Sequence, residues 1–196
     1  MDKNKILFID IDTQNDFMFK EGNLYVPDAE RIIENLKKLT EFAYRNNIPI
    51  FSSVDSHTQD DPEFKQFPPH CIKGTEGQKK INETKIKEAL FIPSDRTIEI
   101  DFTKYRQFIF EKDKLSVFSN PNFEKAIEEI GKEIFVVYGV ATEYCVKECV
   151  EGLLERNKNV YIVVDAIKGV DEKKGKKFLE YASSKGVIPV TTSSLV

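Results

Sequence analysis

The strongest constraint on this chain is a series of short, unbroken apolar runs set between longer amphipathic stretches. The runs cover 6–9, 48–54, 108–110, 134–138, 160–164 and 187–190, and they are rich in Ile, Val, Phe and Tyr. A strand with one face in water alternates apolar and polar residues; a strand covered on both faces does not. Between the runs lie helical patterns. The clearest starts at Pro27-Asp28 and carries Ile33, Leu36, Leu39 and Phe42 at helical spacing up to Arg45. Others are expected over 78–90, 120–130, 146–156 and 171–184, and a short strand over 96–102. This alternation predicts a mostly parallel central sheet with helices on both faces, a three-layer α/β/α sandwich.

The 196 residues suit one domain, 1–196, with length enough for a substantial core. Formal net charge is −4 and hydrophobic content 40%, which speaks against a disordered chain and against nucleic acid as a partner. No apolar stretch is long enough to span a bilayer, so no membrane partner is expected. The opening Met1-Asp-Lys-Asn-Lys5 runs straight into a strand that ends in acids, unlike an export signal. Three Cys do not make a disulfide framework, and a cytoplasmic location is expected.

In parallel sheets of this kind ligands bind beyond the carboxyl ends of the strands. Asp12, Asp55, Lys112 and Cys145 each stand at or just past such an end. The stretch 139–146, Gly-Val-Ala-Thr-Glu-Tyr-Cys-Val, reads as the turn from a buried strand into a helix. Thr142 is the expected N-cap and Glu143 sits in the first turn, which places Cys145 near unpaired backbone N–H groups. Those groups favour a thiolate and can hold an oxyanion. The alternative for Cys145 is a buried structural residue; Cys149, one turn on, reads as packing.

A cysteine nucleophile needs a base or a positive neighbour. The only two histidines, His57 and His70, lie in one polar, Pro-rich loop, 56–77. A loop of that length is usually functional or disordered. A Cys–His pair is one reading. The other groups Asp55, His57, Glu63 and His70 around a divalent ion: zinc, manganese or iron. The base is then a carboxylate, Asp12, and Lys112 holds carboxylate and thiolate in their charged forms, with Lys114 as its rival.

A different class also fits part of the chain. Phe8-Ile-Asp10-Ile-Asp12 resembles the first motif of haloacid-dehalogenase-type phosphatases, with Asp10 as nucleophile, Asp12 as acid/base and magnesium. Gln14 stands where that motif has Thr or Val, and the glycine-rich acidic fourth motif is absent. A binding-only domain is the third possibility. No G-x-G-x-x-G or Walker loop follows any strand.

Taken together, three motifs resemble the isochorismatase-like cysteine hydrolases, nicotinamidases most closely, over nearly the whole chain. They are Ile11-Asp12-Thr-Gln14-Asn15-Asp16-Phe17, Lys112-Asp-Lys-Leu-Ser116-Val-Phe118 and Gly139-Val-Ala-Thr-Glu-Tyr-Cys145-Val146. The resemblance implies an isochorismatase-like, Rossmann-like fold. It implies catalytic Asp12, Lys112 and Cys145, an oxyanion hole from the Ala141 and Cys145 amides, and a cis peptide before Ala141. It picks Lys112 over Lys114 and leaves Asp10 as an extra acid. Asp55-x-His57 and Phe67-Pro-Pro-His70 resemble the metal motif that nicotinamidases use to hold the pyridine nitrogen. Glu63 stands where many of them have a third His, Leu115 where an aromatic is common and Phe67 where Trp is common. Phe17, Phe67, Leu115 and Tyr144 are the expected slot for a flat ring. The implied activity is hydrolysis of nicotinamide, a step of NAD salvage, by a metal-bound homo-oligomer with a small-molecule amide substrate. Another cysteine amidase of the family is the nearest alternative.

Overall fold

The computed structural model describes residues 2–196. A seven-stranded sheet runs through the chain in the order β3-β4-β2-β1-β5-β6-β7. The strands are β1 (Ile6–Ile11), β2 (Ile50–Asp55), β3 (Ala89–Ile92), β4 (Gln107–Lys112), β5 (Ile134–Val140), β6 (Asn159–Lys168) and β7 (Ile188–Val190). Every neighbouring pair is parallel. All residues of β1 and β2 are buried, so both strands carry apolar side chains on both faces, and their polar residues, Asp10, Ser52, Ser53 and Asp55, are held by hydrogen bonds or ion pairs.

The helices are α1 (Asn15–Met18), α2 (Ile33–Arg45), α3 (Phe123–Glu129), α4 (Lys147–Glu155), α5 (Glu172–Ser184) and α6 (Thr192–Leu195). Their apolar stripes complete the sandwich; in α2 the stripe is Leu36, Leu39, Thr40 and Ala43. α2 packs with α6, and α4 with α5. Asp171 caps α5 by accepting from the N–H groups of Lys173 and Lys174 at 2.9 and 3.0 Å. Among the described residues no helix is long and apolar enough to cross a membrane.

Two local expectations fail, each for a tertiary reason. Residues 78–90 form no α-helix; a single 3-10 turn, Asn82–Thr84, leads into β3. The segment is held extended because Lys80 turns its ammonium inward. It pairs with Asp10 and donates to Thr13 Oγ1 at 2.6 Å. The strand expected over 96–102 is irregular. Its polar backbone is satisfied by a side chain and not by a ladder: Asn122 accepts from the Ile98 N–H at 2.8 Å and donates to the Arg96 carbonyl at 2.9 Å.

Asp10, fully buried, is thus a structural acid. Lys80, Thr13 (3.0 Å) and Ser52 (3.5 Å) surround it. That seal excludes the phosphatase reading, whose nucleophile must reach a substrate. Asp10→Asn is expected to leave Lys80 as an uncompensated buried charge, at a cost of about 3–5 kcal/mol. For a chain of this size that is a fall in Tm of roughly 6–20 °C by calorimetry. Turnover per folded molecule is expected to persist.

The strand order changes direction between β1 and β5, the position where open α/β sheets place ligands. Gly139 in β5 has φ +117°, and a Cβ there would run into the Ile11 carbonyl oxygen of β1. Asp12, just past β1, has φ +48°. The Val140–Ala141 peptide is cis, as the motif resemblance implies.

Candidate active site

Four strand ends deliver the reactive groups. Asp55 ends β2 and Lys112 ends β4, and the two are register partners in the sheet. Asp12 follows β1, and Cys145 follows β5. Lys112 is fully buried and is the hub. Its Nζ pairs with Asp55 Oδ1, lies 2.9 Å from Asp12 Oδ2 and donates toward Cys145 Sγ at 3.5 Å. Burial works against that ammonium, yet Asp12 and Asp55 outweigh it and raise its pKa well above the ordinary lysine value. Lys112 therefore stays charged.

Burial raises the Asp12 carboxyl above its usual range, and Lys112 offsets only part of this. Ser53 Oγ donates to Asp12 Oδ1 at 2.6 Å, which fixes the carboxylate plane. For Asp55 burial is overcome by Lys112 and the two imidazoles, so its carboxyl sits below the usual range. Atoms of Asp12, Asp55 and Cys145 lie within 4.8 Å of one another.

The turn carrying Cys145 differs from expectation. Ala141, not Thr142, occupies the capping position, and Thr142–Val146 is a π-type turn in which Tyr144 is non-helical (φ −120°, ψ −109°). Tyr144 and Val146 both donate to the Ala141 carbonyl, at 3.0 and 3.2 Å. Burial pushes the Cys145 thiol well up, Lys112 pulls it down, and Asp12 and Asp55 push it up again. Cys149 is fully buried in the core, as a packing residue should be.

The histidines form a second cluster next to this one. His57 Nε2 and His70 Nε2 lie 3.8 and 3.7 Å from Asp55 Oδ2. Their other nitrogens are held: His57 Nδ1 by Asp61 Oδ2 at 2.9 Å, His70 Nδ1 by the Pro68 carbonyl at 2.8 Å. Burial disfavours the imidazolium of His57, but Asp55 and Asp61 outweigh it and lift its pKa to about 9. His57 Nε2 is buried and has no hydrogen-bond partner among the described residues. Two imidazoles with their Nδ1 atoms engaged and their Nε2 atoms turned to one carboxylate are the donor set of a divalent metal. Asp55, His57 and His70 thus form a possible metal site. Glu63 lines the adjoining cavity, outside that trio, and burial with the Asp55 charge raises its carboxyl above the usual range.

The cavity is about 140 Å³ and reaches Asp12, Asp55, His70 and Cys145. Phe17, Phe67, Leu115 and Tyr144 all line it, as expected for the slot. Phe17 lies 5.4 Å from His70 and Phe67 5.8 Å from Tyr144, centroid to centroid. Leu24, Val26 and Val170 also form the walls, and sequence reading missed them because they come from loops with no motif. Asp61 was missed as well. Asp61 had a faint signal, a carboxylate four residues after His57 in the same loop.

The isochorismatase domain family matches residues 6–194. The chain belongs to the isochorismatase family. As an isochorismatase-family hydrolase it is 32% identical over 146 residues to an uncharacterized isochorismatase family protein of Bacillus subtilis (strain 168), covering 72% of this chain and 74% of that one. It is 22% identical over 184 residues to the nicotinamidase of Escherichia coli (strain K12), covering 82% of each. Its fold matches the crystal structure of Pyrococcus horikoshii pyrazinamidase in complex with zinc, with a TM-score of 0.81 at 23% identity, over 95% of this chain and 99% of the other.

Proposed function

We propose that this isochorismatase-family hydrolase is a nicotinamidase. It converts nicotinamide to nicotinate and ammonia through a thioester on Cys145, with residues 1–196 acting as one cysteine-hydrolase domain. The observation that carries the reading is the adjacency of two clusters on one small apolar cavity. Lys112 with Asp12 and Cys145 stands on one side, Asp55 with His57 and His70 on the other.

Asp12 takes the thiol proton of Cys145, and Lys112 stabilises the charge that appears on sulfur. The thiolate attacks the amide carbon. The amides of Ala141 and Cys145 receive the negative charge of the tetrahedral oxygen. Asp12 returns its proton to the departing nitrogen, ammonia leaves, and the acyl group stays on sulfur. Asp12 then takes a proton from water, hydroxide attacks the thioester, the C–S bond breaks, and the departing Cys145 sulfur takes the proton back from Asp12. Asp55, His57 and His70, with Glu63 at the cavity wall, would hold a divalent ion: zinc, with manganese or iron as substitutes. The ion supplies a Lewis-acid position for a pyridine nitrogen. Phe17, Phe67, Leu115 and Tyr144 clasp the ring, which sets the amide carbon beside Cys145. The compartment proposed is the cytoplasm, and the assembly a homo-oligomer.

The test is steady-state kinetics with and without chelation, on nicotinamide and benzamide. Removing the metal is expected to raise KM for nicotinamide by about tenfold or more. Iodoacetamide alkylation of Cys145 is expected to stay nearly unchanged. Benzamide, without the ring nitrogen, is expected to be a poor substrate in either state. Equal cleavage of benzamide, or indifference of nicotinamide hydrolysis to chelation, overturns the metal-held pyridine and makes this a general cysteine amidase.

A further inference from the structure

Asp16 is almost wholly buried, yet it touches neither the cavity nor the metal trio. Its carboxylate takes two backbone N–H groups from separate segments. Cys71 N donates to Oδ2 at 2.6 Å and Asn23 N to Oδ1 at 2.9 Å. Charge-assisted bonds of this kind are roughly twice as strong as neutral ones. Each segment leads into the site.

Cys71 follows His70 directly and has φ +43°, a conformation costly for a non-glycine residue. Its carbonyl accepts from the His57 N–H at 3.1 Å. The backbone of residue 71 therefore anchors both imidazoles, one by covalent neighbourhood and one by hydrogen bond. On the other side, the Asp16 carbonyl accepts from Leu24 N at 3.2 Å, and the Phe17 carbonyl from Val26 N at 2.9 Å. Phe17, Leu24 and Val26 are walls of the cavity.

Two glycines give independent support. A Cβ at Gly77 would run into the Asp16 carboxylate, and a Cβ at Gly22 into the Asp16 backbone. The chain passes the residue so closely on both sides that no side chain fits.

We propose that Asp16 is a positioning residue that holds the His57–His70 pair and the Phe17–Leu24–Val26 wall in one register. The proposal rests on reading Asp55, His57 and His70 as a metal site. By this account the metal affinity and the fit of the ring are set by one carboxylate, outside both. Losing it loosens the histidines and the wall together and leaves the Lys112–Asp12–Cys145 cluster in place, since that cluster hangs from the strand ends.

The test uses the full chain and zinc, titrated in competition with a chromogenic chelator. Asp16→Asn keeps the shape but turns an acceptor into a donor facing an N–H. It is expected to weaken zinc binding by about 10–100-fold and raise KM for nicotinamide by a similar factor, while the iodoacetamide rate at Cys145 moves by less than about twofold. Gly77→Ala retains Asp16 but displaces its carboxylate, and is expected to move zinc affinity and KM in the same direction. It carries the test alone if Asp16→Asn yields too little folded protein. His70→Ala calibrates the site. If His70→Ala binds zinc as the wild type does, the metal reading itself is lost. If His70→Ala loses zinc while Asp16→Asn, or in its absence Gly77→Ala, keeps wild-type zinc affinity and KM, the positioning role is wrong. A parallel fall in zinc affinity, alkylation rate and Tm also overturns it, because a merely structural residue would move all three.

Discussion

Cys145→Ala is expected to abolish hydrolysis of nicotinamide, by on the order of 10⁴-fold or more in kcat, with the protein still folded. The sulfur is the one nucleophile at the junction of Lys112, Asp12 and the cavity. Its removal deletes a small volume from a site that already opens on a cavity, so Tm should move by no more than a few degrees. Ammonia release and a thermal melt on the same sample check both halves. Cys149→Ala is the matched control. That thiol is fully buried in the core and takes no part in the cluster, so most activity should survive. Full activity in Cys145→Ala, or equal loss in Cys149→Ala, would mean the wrong thiol has been chosen.

Asp12→Asn should follow closely, with kcat reduced about 10²–10⁴-fold, the usual worth of a general base. The change is nearly isosteric. Ser53 can still donate to Oδ1, and Lys112 retains Asp55 as its partner. The lesion is chemical: the buried thiol of Cys145, held up by its surroundings, loses the group that strips its proton. Iodoacetamide alkylation of Cys145 should therefore slow in step with turnover. That separates Asp12 from the metal-site residues, whose loss is expected to spare alkylation. If turnover falls and alkylation does not, Asp12 acts only on the leaving nitrogen or on water. If neither falls, the base lies elsewhere. Asp10→Asn, two residues away, should behave differently. Asp10 is sealed against Lys80 and Thr13 and does not line the cavity, so its cost is read in stability and not in rate.

Six of the seven strands and the candidate reactive groups were legible in the order of residues; β3 was not, since it begins inside the stretch expected to be a helix over 78–90. Buried parallel strands must be apolar throughout, and the ends of such strands must carry the chemistry, so the residues beyond 9, 54, 110 and 138 stood out without coordinates. Asp12, Lys112 and Cys145 do meet, and Asp55, His57 and His70 do converge. Features that depend on long-range partners needed the folded chain. Residues 78–90 lost their helix to a buried Lys80–Asp10 pair, and 96–102 lost its ladder to Asn122. Local propensity cannot register a partner tens of residues away. The surroundings of Cys145 were likewise not legible from its turn, because burial, Lys112 and the carboxylates of Asp12 and Asp55 all bear on the thiol from other segments. Asp16 shows the limit most plainly. In the sequence it is one more acid in a motif; its work comes from two N–H groups, at residues 23 and 71, that only folding brings to it.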